Sequence, residues 1–222
     1  MLHMNFNSLL NKYNITKRNG IIHVGGNTGE EIPEYKDLGF QRILVFEPLR
    51  HSFDKISNES GVYKVNCAVG DTNGKINMHI SELTNPDGSL IIGESASILK
   101  PKNHLVAYPA VKFYPTTHEV DIVTLDTWFL NTSTGLRPTD FSCMVLDVQG
   151  YEAQVIIGAK DMLKTVDCVY AEIATTEIYE GNTHVNQLNF LLKQYGFVMR
   201  EHWLDPHGSG EAFYTKESTR EF

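Results

Sequence analysis

Apolar positions recur in two alternating rhythms along most of the chain. Phe6, Leu9, Leu10 and Tyr13 fall at helical spacing and predict an amphipathic helix over residues 5–15. Strand-length apolar runs then alternate with helix-patterned stretches: a strand at 21–24, a helix at 29–38, a strand at 43–46, a helix at 48–56 opening on Pro48, and a strand at 62–68. This is the rhythm of a parallel sheet. It resumes with VDIVTL and continues as a strand at 143–146, a helix at 152–163 and a strand at 168–171. A helix at 183–195 carries Val185, Leu188, Leu191 and Leu192 on one face and ends at Gly196, and strands at 197–203 and 212–214 close the chain as a hairpin around DPHGSG. The pattern predicts a doubly wound α/β fold with a mostly parallel seven-stranded sheet and an antiparallel last strand.

Residues 71–120 break the rhythm. Asn73-Gly74 is a hairpin signal joining KVNCAV to KINMHI, and Asn85-Pro86-Asp87-Gly88 is a second turn. A stretch this long outside the repeat reads as a β-rich insertion, a lid or substrate wall, with a solvated decorative loop as the alternative. Length changes the picture only by fixing the count: 222 residues suit one domain spanning 1–222.

Composition narrows the class. Hydrophobic residues make up 41% and charged residues 21%, as in a globular chain. Cys67, Cys143 and Cys168 each lie in an apolar stretch without metal-ligand spacing, which predicts buried, reduced thiols and a reducing compartment. Neither a secretion signal nor an apolar run of roughly 18 residues is seen, so the expected location is cytoplasmic, away from membranes. A net charge of −8 without a lysine/arginine cluster disfavours nucleic acid as a partner.

The turn after the first strand, IIHVGGNTGEE at 21–31, is where a ligand sits in a sheet of this kind, and Gly25, Gly26 and Gly29 give it close access to the backbone. A dinucleotide fingerprint begun at Gly25 needs glycine at 27 and 30, where the chain has Asn27 and Glu30. Glu30 and Glu31, expected in the first helical turn, compete with any pyrophosphate there. An adenosine without phosphate suits the turn better, which points to S-adenosylmethionine. Glu47, at the end of the second strand and 20 residues beyond Asn27, is placed to accept from ribose hydroxyls.

With HVGGNTG at 23–29, FEP at 46–48, NCAVGD at 66–71, SAS at 95–97, VTLDTW at 123–128, LDVQGYEAQVIIGA at 146–159 and AEI at 171–173, the sequence resembles the FkbM-type methyltransferases, a branch of the class I S-adenosylmethionine-dependent enzymes. That family usually has aspartate where this chain has His23, and glutamate where it has Gln149. The resemblance implies the class I methyltransferase fold and methyl transfer to a hydroxyl of a sugar, glycan or small metabolite. It implies cofactor contacts at His23, Gly25, Gly26, Asn27, Thr28 and Gly29. Further contacts are expected at Glu47, Pro48, Cys67, Ala68 and Asp147.

For the chemistry, Asp147 at the end of the fourth parallel strand is the first candidate to orient or deprotonate an acceptor hydroxyl, and Glu172, read as ending the next strand, is the second. Glu152 and Asp126 read as capping carboxylates. No compact motif supports a metal, although Asp126, Asp147 and Glu172 are acids that could gather around magnesium. His79, His104, His118, His184 and His207 fall in or near loops that could border an acceptor, and Tyr179 and Trp203 could stack on a sugar ring. Competing readings are a nucleotide-dependent oxidoreductase or epimerase, and a non-catalytic S-adenosylmethionine-binding scaffold.

Overall fold

The computed structural model describes residues 4–217. In chain order its strands are β1 (Ile21–Val24), β2 (Ile43–Phe46), β3 (Val62–Val65), β4 (Ala68–Val69), β5 (Gly74–Thr84), β6 (Leu90–Ile92), β7 (Val111–Val123), β8 (Cys143–Leu146), β9 (Cys168–Ala174), β10 (Phe197–Leu204) and β11 (Ser209–Lys216). The helices are α1 (Phe6–Lys12), α2 (Ile32–Asp37), α3 (Arg50–Phe53), α4 (His104–Ala107), α5 (Leu125–Asn131), α6 (Glu152–Ile157), α7 (Met162–Thr165) and α8 (Val185–Lys193). None is long and apolar enough to cross a membrane.

Seven strands form one sheet in the order β3-β2-β1-β8-β9-β11-β10. All run parallel except β11, which is antiparallel to both β9 and β10. The expected antiparallel last strand is therefore present, but slotted inside the edge rather than at it. Strands β1, β2 and β8 are buried at every position because both sheet faces are covered, which is why they read as unbroken apolar runs. Ile22, Val24, Leu44, Phe46, Met144 and Leu146 face a core shared with α5 to α8. Ile21, Ile43, Val45, Cys143 and Val145 face a second core shared with α1 and α2. All three cysteines are buried free thiols.

The sheet grows outward from β1 in one direction through β2 and β3, and in the other through β8 and β9. The switch lies between the carboxyl ends of β1 and β8, where such sheets open a crevice. A second sheet, ordered β4-β7-β5-β6, is built from Ala68 to Val123. Asn85 to Gly88 do turn β5 into β6. The predicted Asn73-Gly74 hairpin does not form, because β7 lies between β4 and β5 and pairs with both: Ile122 faces Ala68 in parallel and Gly74 in antiparallel register. Asn73 instead ties the crossing down, its Oδ1 accepting from Thr124 N at 2.9 Å. The second sheet packs on the first through Leu49 and Tyr151, over the switch point.

Candidate active site

A cleft of about 530 Å³ opens at that switch point, between the loop after β1, the ends of β2 and β8, and the second sheet. Its floor is the glycine turn. Gly25 N and Gly26 N both donate to Phe46 O, at 2.9 and 3.1 Å, and Asp147 N donates to Val24 O at 3.0 Å, so the turn is sewn to both neighbouring strand ends. Gly25 has φ +83°, and a Cβ there would stand 1.8 Å from the Asp147 carbonyl oxygen. The glycine is thus required by the turn's own packing as well as by an approaching ligand. Gly29 faces Ile32 and does not line the cleft, unlike Gly25, Gly26, Asn27 and Thr28.

Glu47 immediately follows β2 and is buried. Its Oε2 accepts from Asn27 N at 2.9 Å and its Oε1 from Leu49 N at 2.7 Å. Asn27 turns that N–H toward the carboxylate by adopting φ +42°, a left-handed conformation asparagine tolerates. Burial pushes the Glu47 carboxyl up to about 7, against the two N–H donors that hold it down. Each oxygen keeps a lone pair for a further donor. Pro48, Cys67 and Ala68 continue this wall, and burial pushes the Cys67 thiol up to about 12, leaving it inert.

His23 is buried beneath the turn, with Nδ1 hydrogen-bonded to Tyr35 Oη at 3.2 Å and 4.0 Å from Glu31 Oε2. Burial lowers its basicity, outweighing the pull of Glu31 and Asp147, so the ring is neutral. Its Nε2 is buried with no hydrogen-bond partner among the described residues. Glu30 and Glu31 precede α2 rather than occupying its first turn, since the helix begins at Ile32 with Pro33 next. Both line the cleft.

The other end of the cleft is built from β8, β9 and the closing hairpin. Asp147 follows β8, as expected. Glu172 does not end its strand: antiparallel pairing with β11 extends β9 to Ala174, with Glu211 opposite Glu172. Gln149 joins the two acids, Nε2 donating to Asp147 Oδ1 at 2.8 Å and to Glu172 Oε2 at 2.9 Å. Burial, then the nearby Asp147 and Glu152 charges, raise Glu172 well above the usual carboxylate range. Glu152 caps the turn between them, its Oε1 accepting from Gly150 N and Val148 N at 3.1 and 3.3 Å. Asp126 lies apart, accepting from Asp161 N at 3.0 Å, so the three acids do not converge. Among the described residues no group of His, Cys, Asp and Glu is placed to hold a metal.

Of the histidines, His104 reaches the cleft, buried with Nδ1 unpartnered among the described residues. His184 caps α8 by accepting from Asn186 N, and His207 packs on Tyr108. Trp203 lines the cleft, whereas Tyr179 lies behind it, its Oη donating toward Gln149 Oε1 and Ser95 O, each at 2.9 Å. Sequence reasoning missed Tyr108, Asp205 and Ser209, which the insertion and the closing hairpin bring to the mouth, and it missed the bridging role of Gln149. Only the oddity of glutamine in LDVQGY marked that position.

Carboxylates dominate the lining: Glu30, Glu31, Glu47, Glu94, Asp147, Glu172, Asp205 and Glu211, with no lysine or arginine among the described lining residues. The methyltransferase FkbM domain matches the chain over residues 23–199. The 2-O-methyltransferase NoeI of Sinorhizobium fredii is 31% identical over 184 residues, an alignment covering 80% of this chain and 72% of that protein. Among solved structures, the methyltransferase domain of bacterial CtHen1-C is similar with a TM-score of 0.49 at 8% identity, over 96% of this chain and 95% of that one. Magnesium protoporphyrin IX methyltransferase from Synechocystis PCC 6803 with bound SAM is similar with a TM-score of 0.45 at 8% identity, over 95% and 77%.

Proposed function

This chain belongs to the methyltransferase FkbM family, and from that premise we propose that it uses S-adenosylmethionine to methylate a hydroxyl of a sugar or glycan by in-line displacement. The observation that carries the proposal is the cleft's charge: carboxylates surround the glycine turn, and no basic side chain is among the described lining residues. Such a wall suits a sulfonium cation and repels the diphosphate that a nucleotide-dependent oxidoreductase would seat there. The residues also fit the donor in detail. Glu47 has lone pairs left for ribose hydroxyls, and the orphaned Nε2 of His23 lies beside the turn that would hold the amino acid tail.

When bound, S-adenosylmethionine supplies a methyl group already activated on a positive sulfur. The protein's work is then to hold the attacking oxygen in line and to exclude water. Asp147 stands at the strand end beside the crevice, where its carboxylate orients an acceptor hydroxyl and takes its proton as the oxygen attacks. Trp203 offers a ring face for a sugar, with Asp205 and Ser209 beside it for hydroxyls. The name of the relative NoeI supports an oxygen acceptor.

The test separates binding from transfer. Calorimetry with S-adenosylhomocysteine is expected to register tight binding to wild type and Asp147→Ala but none to Glu47→Ala. Labelled S-adenosylmethionine incubated with a panel of neutral glycans is expected to label one of them, about 100-fold more slowly with Asp147→Ala. Full turnover by Asp147→Ala would remove that carboxylate from the mechanism, and a wild-type protein that ignores S-adenosylhomocysteine would end the reading.

A further inference from the structure

Gln149 is held in a way its place in a surface turn does not require. Its backbone sits at φ +52°, an unfavourable region for a residue with a long side chain. Four hydrogen bonds hold it there. Its carbonyl oxygen accepts from Ser97 Oγ at 2.7 Å, Oε1 accepts from Tyr179 Oη at 2.9 Å, and the amide nitrogen gives one hydrogen each to Asp147 and Glu172. The amide nitrogen is set toward the acids because the reverse orientation would place the amide oxygen against two carboxyl oxygens.

Resting on the reading of Asp147 as the acceptor-end carboxylate, we infer that Gln149 is a positioning residue, its amide clamping Asp147 and Glu172 into one pair whose orientation is fixed from the second sheet through Ser97 and from the loop after β9 through Tyr179. The two carboxyls are brought together by the one amide nitrogen that donates to both, at 2.8 and 2.9 Å. Burial and the neighbouring acids raise the Glu172 carboxyl well above the usual carboxylate range. The neighbours cannot perform this task. Facing Glu172 are Glu211 of β11, Glu152 of α6, Tyr179, and Tyr108 beyond α4. Facing Asp147 are the neutral ring of His23 on β1, Glu47 after β2, and Glu94 after β6. These are carboxyls, phenols and one uncharged imidazole; Ser209 Oγ also donates to Glu172 Oε1 at 3.4 Å, whereas Gln149 donates to both acids with N–H groups that carry no charge. A glutamate in its place would be acceptor-only when ionised, so the clamp would turn into a repulsion relieved only by a proton.

The measurement needs no acceptor. Side-chain carboxyl carbon NMR of the ligand-free protein follows the titration of Asp147 and Glu172 in wild type, Gln149→Leu, Gln149→Glu and Tyr179→Phe. Removing the donors in Gln149→Leu is expected to raise the Asp147 midpoint by about one pH unit. Gln149→Glu is expected to raise it further and to add a third coupled carboxyl, and Tyr179→Phe to give a smaller shift in the same direction. A residue that merely fills space would change the melting temperature and leave the titrations alone, so curves for Gln149→Leu that superimpose on wild type would overturn the inference. Should that variant not fold, unchanged midpoints in Gln149→Glu and Tyr179→Phe would overturn it equally. Calorimetry with S-adenosylhomocysteine on the wild-type sample decides the donor reading separately: failure to bind sinks that reading while the titrations still decide the clamp.

Discussion

Glu47 combines two demands that pull in opposite directions. Its carboxylate anchors Asn27 N and Leu49 N, yet burial raises it to about 7. Because the folded value lies above the ordinary 4.5, the folded state binds the proton more tightly, and this group's contribution to stability falls by about 3 kcal/mol as pH rises from about 4.5 through about 7. On the proposed reading Glu47 receives the ribose hydroxyls, which prefer the ionised form, so binding of the donor would expel the proton. The affinity for S-adenosylhomocysteine is therefore expected to fall about tenfold per pH unit below pH 7 and to level off above it, with proton release visible as a dependence of the calorimetric enthalpy on buffer. Glu47→Gln should flatten the slope; a wild-type affinity independent of pH between 5 and 8 would show that another group receives the ribose. At this scale the sequence was legible where a residue's place follows from its distance along the chain. Glu47 and Asp147 sit directly after buried strands, so counting positions places them. Tyr108, Asp205 and Gln149 act through partners 97, 97 and 30 residues away, the first two on each other and the last on Tyr179, and no local pattern encodes such pairings.

Elements divide along the same line. Strands β1, β2 and β8 match their predicted limits residue for residue, because burial on both faces writes an uninterrupted apolar run. The helices are shorter than periodicity suggested, and the reason is tertiary. The stretch predicted as one helix over 152–163 is α6 and α7, parted at Gly158, whose carbonyl accepts from Asp126 N at 3.1 Å while its Cα lies against Gly70. A Cβ at Gly158 would come within 1.9 Å of Gly70 O and 3.1 Å of Thr124 Cβ. Backbone cannot yield as a side chain tip can, so Gly158→Ala is expected to cost at least about 2 kcal/mol, read as a lower denaturant midpoint at unchanged slope. Stability within about 0.5 kcal/mol of wild type would mean that the two sheets are less tightly coupled than this contact implies. The Asn73-Gly74 hairpin misled for a related reason: a turn signal specifies a change of direction, whereas the strand that then fills the gap, β7, comes from nearly 40 residues later.

For the whole molecule, the balance of charge in the cleft bears on the direction of the reaction. Methyl transfer turns a sulfonium into a neutral thioether, so the donor carries one positive charge more than its product. Several carboxylates surround the site, and a unit charge about 8 Å from each gains about 0.5 kcal/mol per carboxylate at the dielectric of water, more where the wall excludes it. Three or four such terms amount to about 2 kcal/mol, a factor of about 30 in affinity. S-adenosylmethionine should accordingly bind more tightly than S-adenosylhomocysteine in low salt, with the ratio shrinking as ionic strength rises and the Debye length falls from about 30 Å to below 10 Å. Titrating both ligands by calorimetry from 0.01 to 0.5 M salt measures the ratio directly, and equal affinities at the lowest salt would refute an electrostatic role for the wall. The same field acts on the acceptor. A sulfated or phosphorylated glycan brings its anion toward Asp147, Asp205 and Glu211, so its methylation should be slower than that of the uncharged parent and should recover as salt screens the repulsion. On the proposed reading, one physical cause, the charge of the cleft, would hold the reactive donor, shed the spent product and select uncharged acceptors.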